Sequence, residues 1–513
     1  MPPPTPLLIL GSMLNRLAIL GALLCALPSL AQDPERRMEF TITGLSKDTV
    51  FLANYYGNKL YYNDTAVADA KGKVVFQRKK GYKAGVYAVV APGPKYFEIL
   101  VNEPEVVMTT STQDLLGDLK VVRSKENQVF LDYVNFLNAK KQEGEAIRAR
   151  IEATSDPLAK ARDQERLNGL DQEVRAYMKD AVDKAPGTFA AAIIRMSIEP
   201  ERTEVKRADG SVDSLATYYT YRKHFWDNTD LTDERILRTP VFQNKFEEYI
   251  GKVVPQIPDT INRLADDLVA RMSSTPELWK FAVHNITYTY ETSEIMGMDA
   301  VFVHMAQTYY CPKGGEASKA TWMPKDKLDK LCERARKQAP LVIGAKARNI
   351  ILTDTTEQRW IDMYKMPSEY VYIVFWDPHC GHCKKTLPDL HKQYEEKLKP
   401  NGIEVYAVAK ATDSTLFADW KAFIREKGLK WTNVGLTWHV YDEARRNSSK
   451  FIPGLTTIES LNYSDTWDIY STPRFFLVDA DRKIVGKQIE PDQVVKLVDQ
   501  LRRNKGNGTG PKP

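Results

Sequence analysis

The sequence is poor in the residues that announce metal or nucleic-acid chemistry. Its 513 residues hold only five cysteines and seven histidines, too few for a metal-rich protein. Charge of one sign is also lacking. Lysine and arginine number 72 against 67 acidic residues, a net charge of +5, too slight to argue for nucleic acid or a membrane surface as partner. After the first thirty residues no run of eighteen apolar residues occurs, so no membrane-spanning helix is expected in the mature chain. No internal repeat is visible. Hydrophobic residues make up 43%, charged residues 27% and aromatics 10%, which excludes wholesale disorder, collagen and coiled coil. At roughly 100–200 residues per domain, the length implies about three domains.

Residues 1–31 read as a signal peptide. Arg16 is their one charge, and the apolar run Leu17–Leu27 is eleven residues long, short of the about 20 that span a bilayer. Pro28 and Ser29-Leu30-Ala31 then form a small-x-small cleavage site. Gln32 is the expected mature N-terminus, and Met13-Leu14-Asn15-Arg16 is a better start than the uncharged stretch before it. Lipid anchoring through Cys25 is disfavoured, because Leu24 precedes it where a small residue is wanted. Cleavage leaves Cys311, Cys332, Cys380 and Cys383 in a compartment where disulfides persist.

The mature chain changes character twice. Residues 38–115 carry short runs of strand type, among them Phe40–Thr43, Val50–Tyr56, Lys73–Phe76, Gly85–Val90, Tyr96–Val101 and Val106–Thr110, punctuated by Gly, Asn, Asp and Pro. They predict an all-β, sandwich-like domain. Residues 125–338 read as mainly α-helical. Val129, Phe130, Tyr133, Phe136 and Leu137 recur at helical spacing. The charged stretch Ala139–Ala185 reads as a solvated helical face. Further helices are expected over Phe242–Val254, Thr260–Met272 and Asp299–Tyr310. The aromatic cluster of Tyr218, Tyr219, Tyr221, Phe225 and Trp226 reads as core, and His304 as a core or interface histidine. Residues 339–503 alternate strand and helix, and Tyr370–Trp376 is a continuous apolar run of the buried parallel type. The Gly/Asn/Pro-rich tail 504–513 is expected to be disordered.

The chemistry sits in Phe375-Trp376-Asp377-Pro378-His379-Cys380-Gly381-His382-Cys383-Lys384-Lys385, between that strand and the next helix. At a helix N-terminus, free N–H groups and the positive end of the dipole favour a thiolate at Cys380. Cys383 lies one turn on, close enough to close a disulfide. His382, and with it His379, would stabilise the thiolate when protonated and make the couple more oxidising. Half a zinc site is the competing reading, but zinc needs a second pair that Cys311 and Cys332, 21 residues apart, do not supply. No metal and no cofactor is expected. Cys311 and Cys332 are either a structural disulfide or two free thiols.

A Trp376-x-x-x-Cys380-x-x-Cys383 run after a buried strand resembles the thioredoxin superfamily. Pro388 resembles the proline that kinks the helix after the redox pair. Thr472-Pro473, just before Arg474–Val478, resembles the cis-proline loop that binds extended substrate backbone. Ala339–Gly344 and the run around the cysteines look like the TlpA/ResA branch of exported bacterial reductases, and the three-part layout is similar to a Bacteroides-type arrangement. The resemblance implies an α/β thioredoxin fold over 339–503, protein thiol or disulfide substrates, a membrane electron donor and a bacterial periplasm. Gly381-His382 resembles the dipeptide of protein disulfide isomerase, so reduction and isomerisation both stay open. Two departures stand out. Val374 occupies the place of thioredoxin's buried aspartate, and Thr386 that of a glutamate found in some TlpA/ResA relatives. Glu404, Lys384 or water are the candidate proton acceptors for Cys383. A peroxidase would want Thr or Ser where Asp377 stands and Pro where Ile373 stands. The rival from another class is a binding or assembly protein in which this domain is accessory. Phe451–Trp467 is expected to flank the substrate groove.

Overall fold

The computed structural model describes residues 33–506, apart from Pro94 and residues 312–316. The signal segment, Cys25 and residues 507–513 lie outside the described residues. The chain divides into two compact units between Tyr249 and Ile250, so the helical stretch read over 125–338 is shared between them.

The first unit begins with eight strands: β1 (Arg37–Thr43), β2 (Thr49–Tyr56), β3 (Lys59–Val67), β4 (Lys73–Gln77), β5 (Gly85–Ala91), β6 (Lys95–Val101), β7 (Glu105–Ser111) and β8 (Lys120–Arg123). They form two four-stranded sheets, ordered β4-β1-β7-β8 and β3-β2-β5-β6. Alternate residues of most of these strands enter one core, where Met38, Phe40 and Ile42 meet Val50, Leu52, Phe97 and Ile99. The strands β3 and β8 were not anticipated. Most of β3 is exposed or half-buried, so its sequence shows no buried face at period two.

Two long helices follow, α1 (Lys125–Ala153) and α2 (Pro157–Lys184). Thr154–Asp156 breaks the charged stretch that read as one element. Asp156 caps α2 through its side chain, and Pro157 takes the first turn, where no N–H is needed. The short apolar α3 (Phe189–Met196) buries Phe189 and Ile193 against Tyr55, Val86 and Leu100 on the outer face of the second sheet. After α4 (Ser214–His224) and α5 (Pro240–Glu248) the unit ends. The expected aromatic cluster splits: Tyr221, Phe225 and Trp226 are buried, while Tyr219 is exposed.

The second unit opens with α6 (Pro258–Arg271), α7 (Pro276–Glu291), α8 (Asp299–Met305) and α9 (Lys325–Gln338). A π-turn over Ala306–Tyr310 continues α8 and ends at Cys311, which is disulfide-bonded to Cys332 on α9. His304 is only partly buried, and its Nε2 lies 2.9 Å from Asp266.

The rest is one mixed sheet with helices on both faces. Its strands are β9 (Ile351–Thr353), β10 (Trp360–Asp362), β11 (Tyr370–Trp376), β12 (Ile403–Ala411), β13 (Thr432–Thr437), β14 (Arg474–Val478) and β15 (Ile484–Lys487). Their order is β10-β9-β13-β12-β11-β14-β15. The helices are α10 (Gly381–Gln393), α11 (Ser414–Lys427), α12 (Trp438–Arg446), α13 (Ile458–Leu461), α14 (Tyr463–Thr466) and α15 (Pro491–Gly506). The last runs three residues beyond its expected end. Strand β11 shows why its sequence lacks alternation. Tyr370, Tyr372, Val374 and Trp376 enter the core on one face, and Val371, Ile373 and Phe375 enter the other. The strand β13 went unread because Thr432-Asn433-Val434-Gly435 has little strand character. A Cβ at Gly435 would lie 3.1 Å from the Trp420 ring and 3.2 Å from the Ala409 carbonyl, so the residue is dictated by the ring stacked over it.

Candidate redox site

Strand β11 ends at Trp376, and four residues later Cys380 caps α10. Its Sγ accepts a hydrogen bond from the Cys383 N–H at 3.2 Å. Cys380 is half-buried and Cys383 fully buried. Strand β14 runs antiparallel to β11 with Phe375 opposite Arg474. The residues just before β14 therefore lie against the point where β11 ends. That placement puts the Thr472 carbonyl 3.2 Å from Cys380 Sγ, and the Thr472–Pro473 peptide bond is cis. One strand end, one helix start and one loop thus meet at the sulfur.

The two thiols are made unlike. Burial would raise Cys380, but hydrogen bonds from Cys383, Thr472 and the His382 N–H outweigh it and hold its pKa below the ordinary value. Burial pushes Cys383 up to about 12, and its hydrogen bond with Cys380 adds to the rise. The outer thiol is the more acidic of the two, and burial favours the protonated form of the inner one.

The neighbours sort themselves around this pair. Trp376 is buried with its ring 5.4 Å from Phe423. Gly381 faces open space, with nothing within 4 Å of a Cβ placed there. The His382 side chain is exposed, and what reaches Cys380 is its backbone N–H. The His379 N–H donates to Asp377 Oδ1 at 2.8 Å, and its Nε2 lies 2.7 Å from Asp419 Oδ2 on α11. Forty residues separate His379 from Asp419, and only the passage through β12 into α11 brings them together. No sequence signal links them.

Glu404 is not the proton acceptor for Cys383. It pairs with Val371 in the sheet register, whereas Trp376 pairs with Ala409. Five residues at about 3.3 Å each put it roughly 16 Å from the reactive end. There it accepts a hydrogen bond from Tyr394 at 2.7 Å. Lys384 is exposed, and Val374 lies fully in the core.

A cavity of about 520 Å³ opens beside Thr472. Asp377 and Lys410, 3.6 Å apart, lie on one side, and Tyr463, Asp465, Tyr470 and Ser471 on the other. The stretch expected to flank the groove supplies part of that second wall through α13 and α14. Among the described residues no group of three His, Cys, Asp or Glu side chains is arranged to hold a metal ion.

A family model described as the AhpC/TSA family matches residues 343–487, which include both cysteines and Thr472-Pro473. The carboxy-terminal domain is thioredoxin-like. Residues 212–337, ahead of this thioredoxin-like domain, match a domain of unknown function, DUF5106. Over 65 residues the chain is 35% identical to the thiol-disulfide oxidoreductase ResA of Bacillus subtilis. That match covers 13% of this chain and 35% of ResA, so the chain spans about a third of the length of that curated relative. Among solved structures it is similar to a domain of a possible thiol-disulfide isomerase from Cytophaga hutchinsonii, with 28% identity and a TM-score of 0.26, covering 33% of this chain and 99% of that one. It is also similar to a thioredoxin-like protein from Bacteroides caccae, with 14% identity and a TM-score of 0.39, covering 58% of this chain and 99% of that one.

Proposed function

We propose that the protein is an exported thiol–disulfide oxidoreductase whose redox pair is Cys380 and Cys383, acting on disulfides of other exported proteins. The observation that carries the reading is the asymmetry of the two thiols, one half-buried and acidified, the other buried and held protonated. The Cys380 thiolate attacks a client disulfide, forming a mixed disulfide and releasing one client sulfur, which takes a proton. That step removes the Cys380 thiolate, whose hydrogen bond and charge raised the Cys383 pKa. Cys383 then loses its proton more readily, attacks Cys380 Sγ, releases the second client thiol and leaves Cys380–Cys383 oxidised. With Val374 in place of an internal carboxylate, water is the proton acceptor. The Thr472 carbonyl, 3.2 Å from Cys380 Sγ, supports a client backbone lying alongside it. Asp377 and Ile373 stand where a peroxidatic cysteine needs Thr or Ser and Pro, which favours the dithiol route over peroxide chemistry.

On this reading residues 1–31 direct export to a bacterial periplasm, a membrane electron carrier re-reduces the pair, and 38–115 and 125–338 serve docking or client presentation. Insulin reduction by the mature protein tests the core of it. Cys380→Ser should abolish turnover, and Cys383→Ser should accumulate a mixed disulfide. Full activity in Cys380→Ser would refute the assignment. Equilibration with glutathione sets direction: about −250 mV or below means a reductase, and about −180 mV or above an oxidant or isomerase.

A further inference from the structure

We propose that Cys311–Cys332 is a second redox site, an exchangeable disulfide opened by dithiols, and that its state sets how firmly helix α9 holds the loop beside Cys380.

Access comes first. Both cysteines are half-buried rather than enclosed, and they line an open cavity of about 470 Å³. Arg336, one turn beyond Cys332 on α9, lines the same cavity. Asp329 and Glu333 line it too and offset that charge, so the case for exchange rests on access.

The two sulfurs are anchored very differently. Cys311 ends a π-turn in which Ala306, Tyr309 and Tyr310 are buried. Cys332 sits on α9, of whose fourteen residues only Ala335 is buried. The apolar stripe of this helix is narrow: Leu328 and Leu331 are only half-buried, and Arg334 lies over the Phe302 ring at 5.3 Å. Beyond the disulfide and that stripe, the helix is held by contacts at its charged side chains: Arg334 with Glu291 at 2.8 Å, and Lys337 with Asp465 at 2.6 Å. Such pairs on a solvated surface contribute little. The covalent bond is therefore a restraint on the middle of α9, whose carboxy-terminal end runs into the buried Leu341, and opening it loosens the helix rather than the turn.

What α9 touches gives the bond its consequence. Lys337 pairs with Asp465 and lies over the Tyr470 ring at 6.0 Å. Asp465 and Tyr470 both line the cavity beside Cys380, and Tyr470 is two residues from Thr472. Five residues of helix, about 7.5 Å of rise, separate Cys332 from Lys337. Movement at the disulfide is thus delivered to the wall of the cavity beside Thr472.

The exchange balances. One thiolate of a dithiol attacks Cys332 Sγ or Cys311 Sγ, the Cys311–Cys332 bond breaks, and the departing cysteine takes a proton. The second sulfur of the dithiol then attacks the mixed disulfide, releasing the other cysteine as thiol. Two electrons pass to the protein, and the dithiol becomes a disulfide.

The test uses the mature protein carrying Cys380→Ser and Cys383→Ser, with Cys311–Cys332 oxidised, and dithiothreitol as probe. Differential alkylation and peptide mass mapping, without denaturant, should show Cys311 and Cys332 labelled within minutes. Amide hydrogen exchange over residues 465–474 should then rise at least threefold, while β11 stays protected. Labelling only after unfolding, or unchanged exchange at 465–474 after opening, overturns the proposal. Lys337→Met, which leaves the disulfide intact, should raise the same exchange; no rise would break the link through α9. The effect on turnover, read with Cys380 and Cys383 restored, rests on the oxidoreductase reading: opening should raise the insulin KM severalfold and leave kcat within about twofold. If Cys380→Ser instead kept full activity, that reading would fall, and the labelling and exchange results would still decide this one.

Discussion

The sharpest consequence of the site is a difference in reactivity between two cysteines three residues apart. Limiting iodoacetamide added to the fully reduced protein near neutral pH should label Cys380 and spare Cys383. The burial that excludes Cys383 from solvent also pushes its pKa to about 12, while Cys380 is held below the ordinary thiol value of 9.0. Three pH units are a thousandfold in thiolate fraction, on the order of 10³. A more basic thiolate is a better nucleophile, and with a Brønsted slope near 0.4–0.5 that returns part of the difference, leaving about fortyfold in rate. Steric exclusion multiplies it further, so fortyfold is a floor. The assay is a time course of alkylation followed by peptide mass mapping, repeated in denaturant, where the two rates should converge. Equal rates in the native protein would refute the assignment of roles, because acidity and burial both favour Cys380.

Further outcomes follow from single contacts. Glu404→Gln should leave the pH dependence of insulin reduction unchanged, and a displaced profile would put Glu404 back in the proton path. The stability of the reduced protein, measured by urea unfolding against Cys383→Ala, should fall as pH rises from about 9 towards 12. The raised pKa means that the folded state keeps a proton which the unfolded chain gives up, so this contribution is complete below the ordinary thiol pKa and lost above it; an advantage that grows with pH would contradict the direction of the shift. Arg482→Ala should cost about 2–4 kcal/mol in chemical denaturation. Its buried guanidinium donates to the Met366 carbonyl at 2.6 Å and also to those of Ser368 and Tyr364, and a loss below about 1 kcal/mol would mean that water replaces it. Trp467→Ala removes a buried ring 4.9 Å from Phe476 and 5.4 Å from Phe375. A cost of about 3–5 kcal/mol is expected on thermal or urea unfolding, and a stability equal to the parent would show that the site collapses around the gap.

What the sequence revealed and what it hid divide along a physical line. Strand β11 and the helix after the cysteines were legible because burial on both faces and a cap at Cys380 leave their mark in adjacent residues. Strand β14 and the loop before it were legible for the same reason. Strand β3 was not, since an edge with both faces largely exposed selects for no pattern. Strand β13 was hidden because Trp420, from another element, dictates glycine at 435. The Cys380–Cys383 pair could be read from spacing alone. The Asp419 partner of His379, the Asp377–Lys410 pair and the grip of Lys337 on Asp465 could not, because each joins residues that only the fold brings near. Glu404 misled for a related reason: a carboxylate on a neighbouring strand is near or far according to register, and register is not written in a single strand.

The first sheet has an order of assembly built into it. Strand β1 lies in its interior, antiparallel to β4 and parallel to β7, with Arg37 opposite Glu105 and Thr43 opposite Ser111. As the chain emerges from the ribosome, β1 is among the first described segments to appear and must wait for Ser111 before its second edge is covered. The long span between these partners is the kind of non-local pairing that slows folding. Until then Met38, Phe40 and Ile42 have only half their sheet around them. A nascent chain halted before residue 105 would therefore expose an open edge of β1 beside apolar side chains, and the same chain extended through Ser111 would have that edge covered.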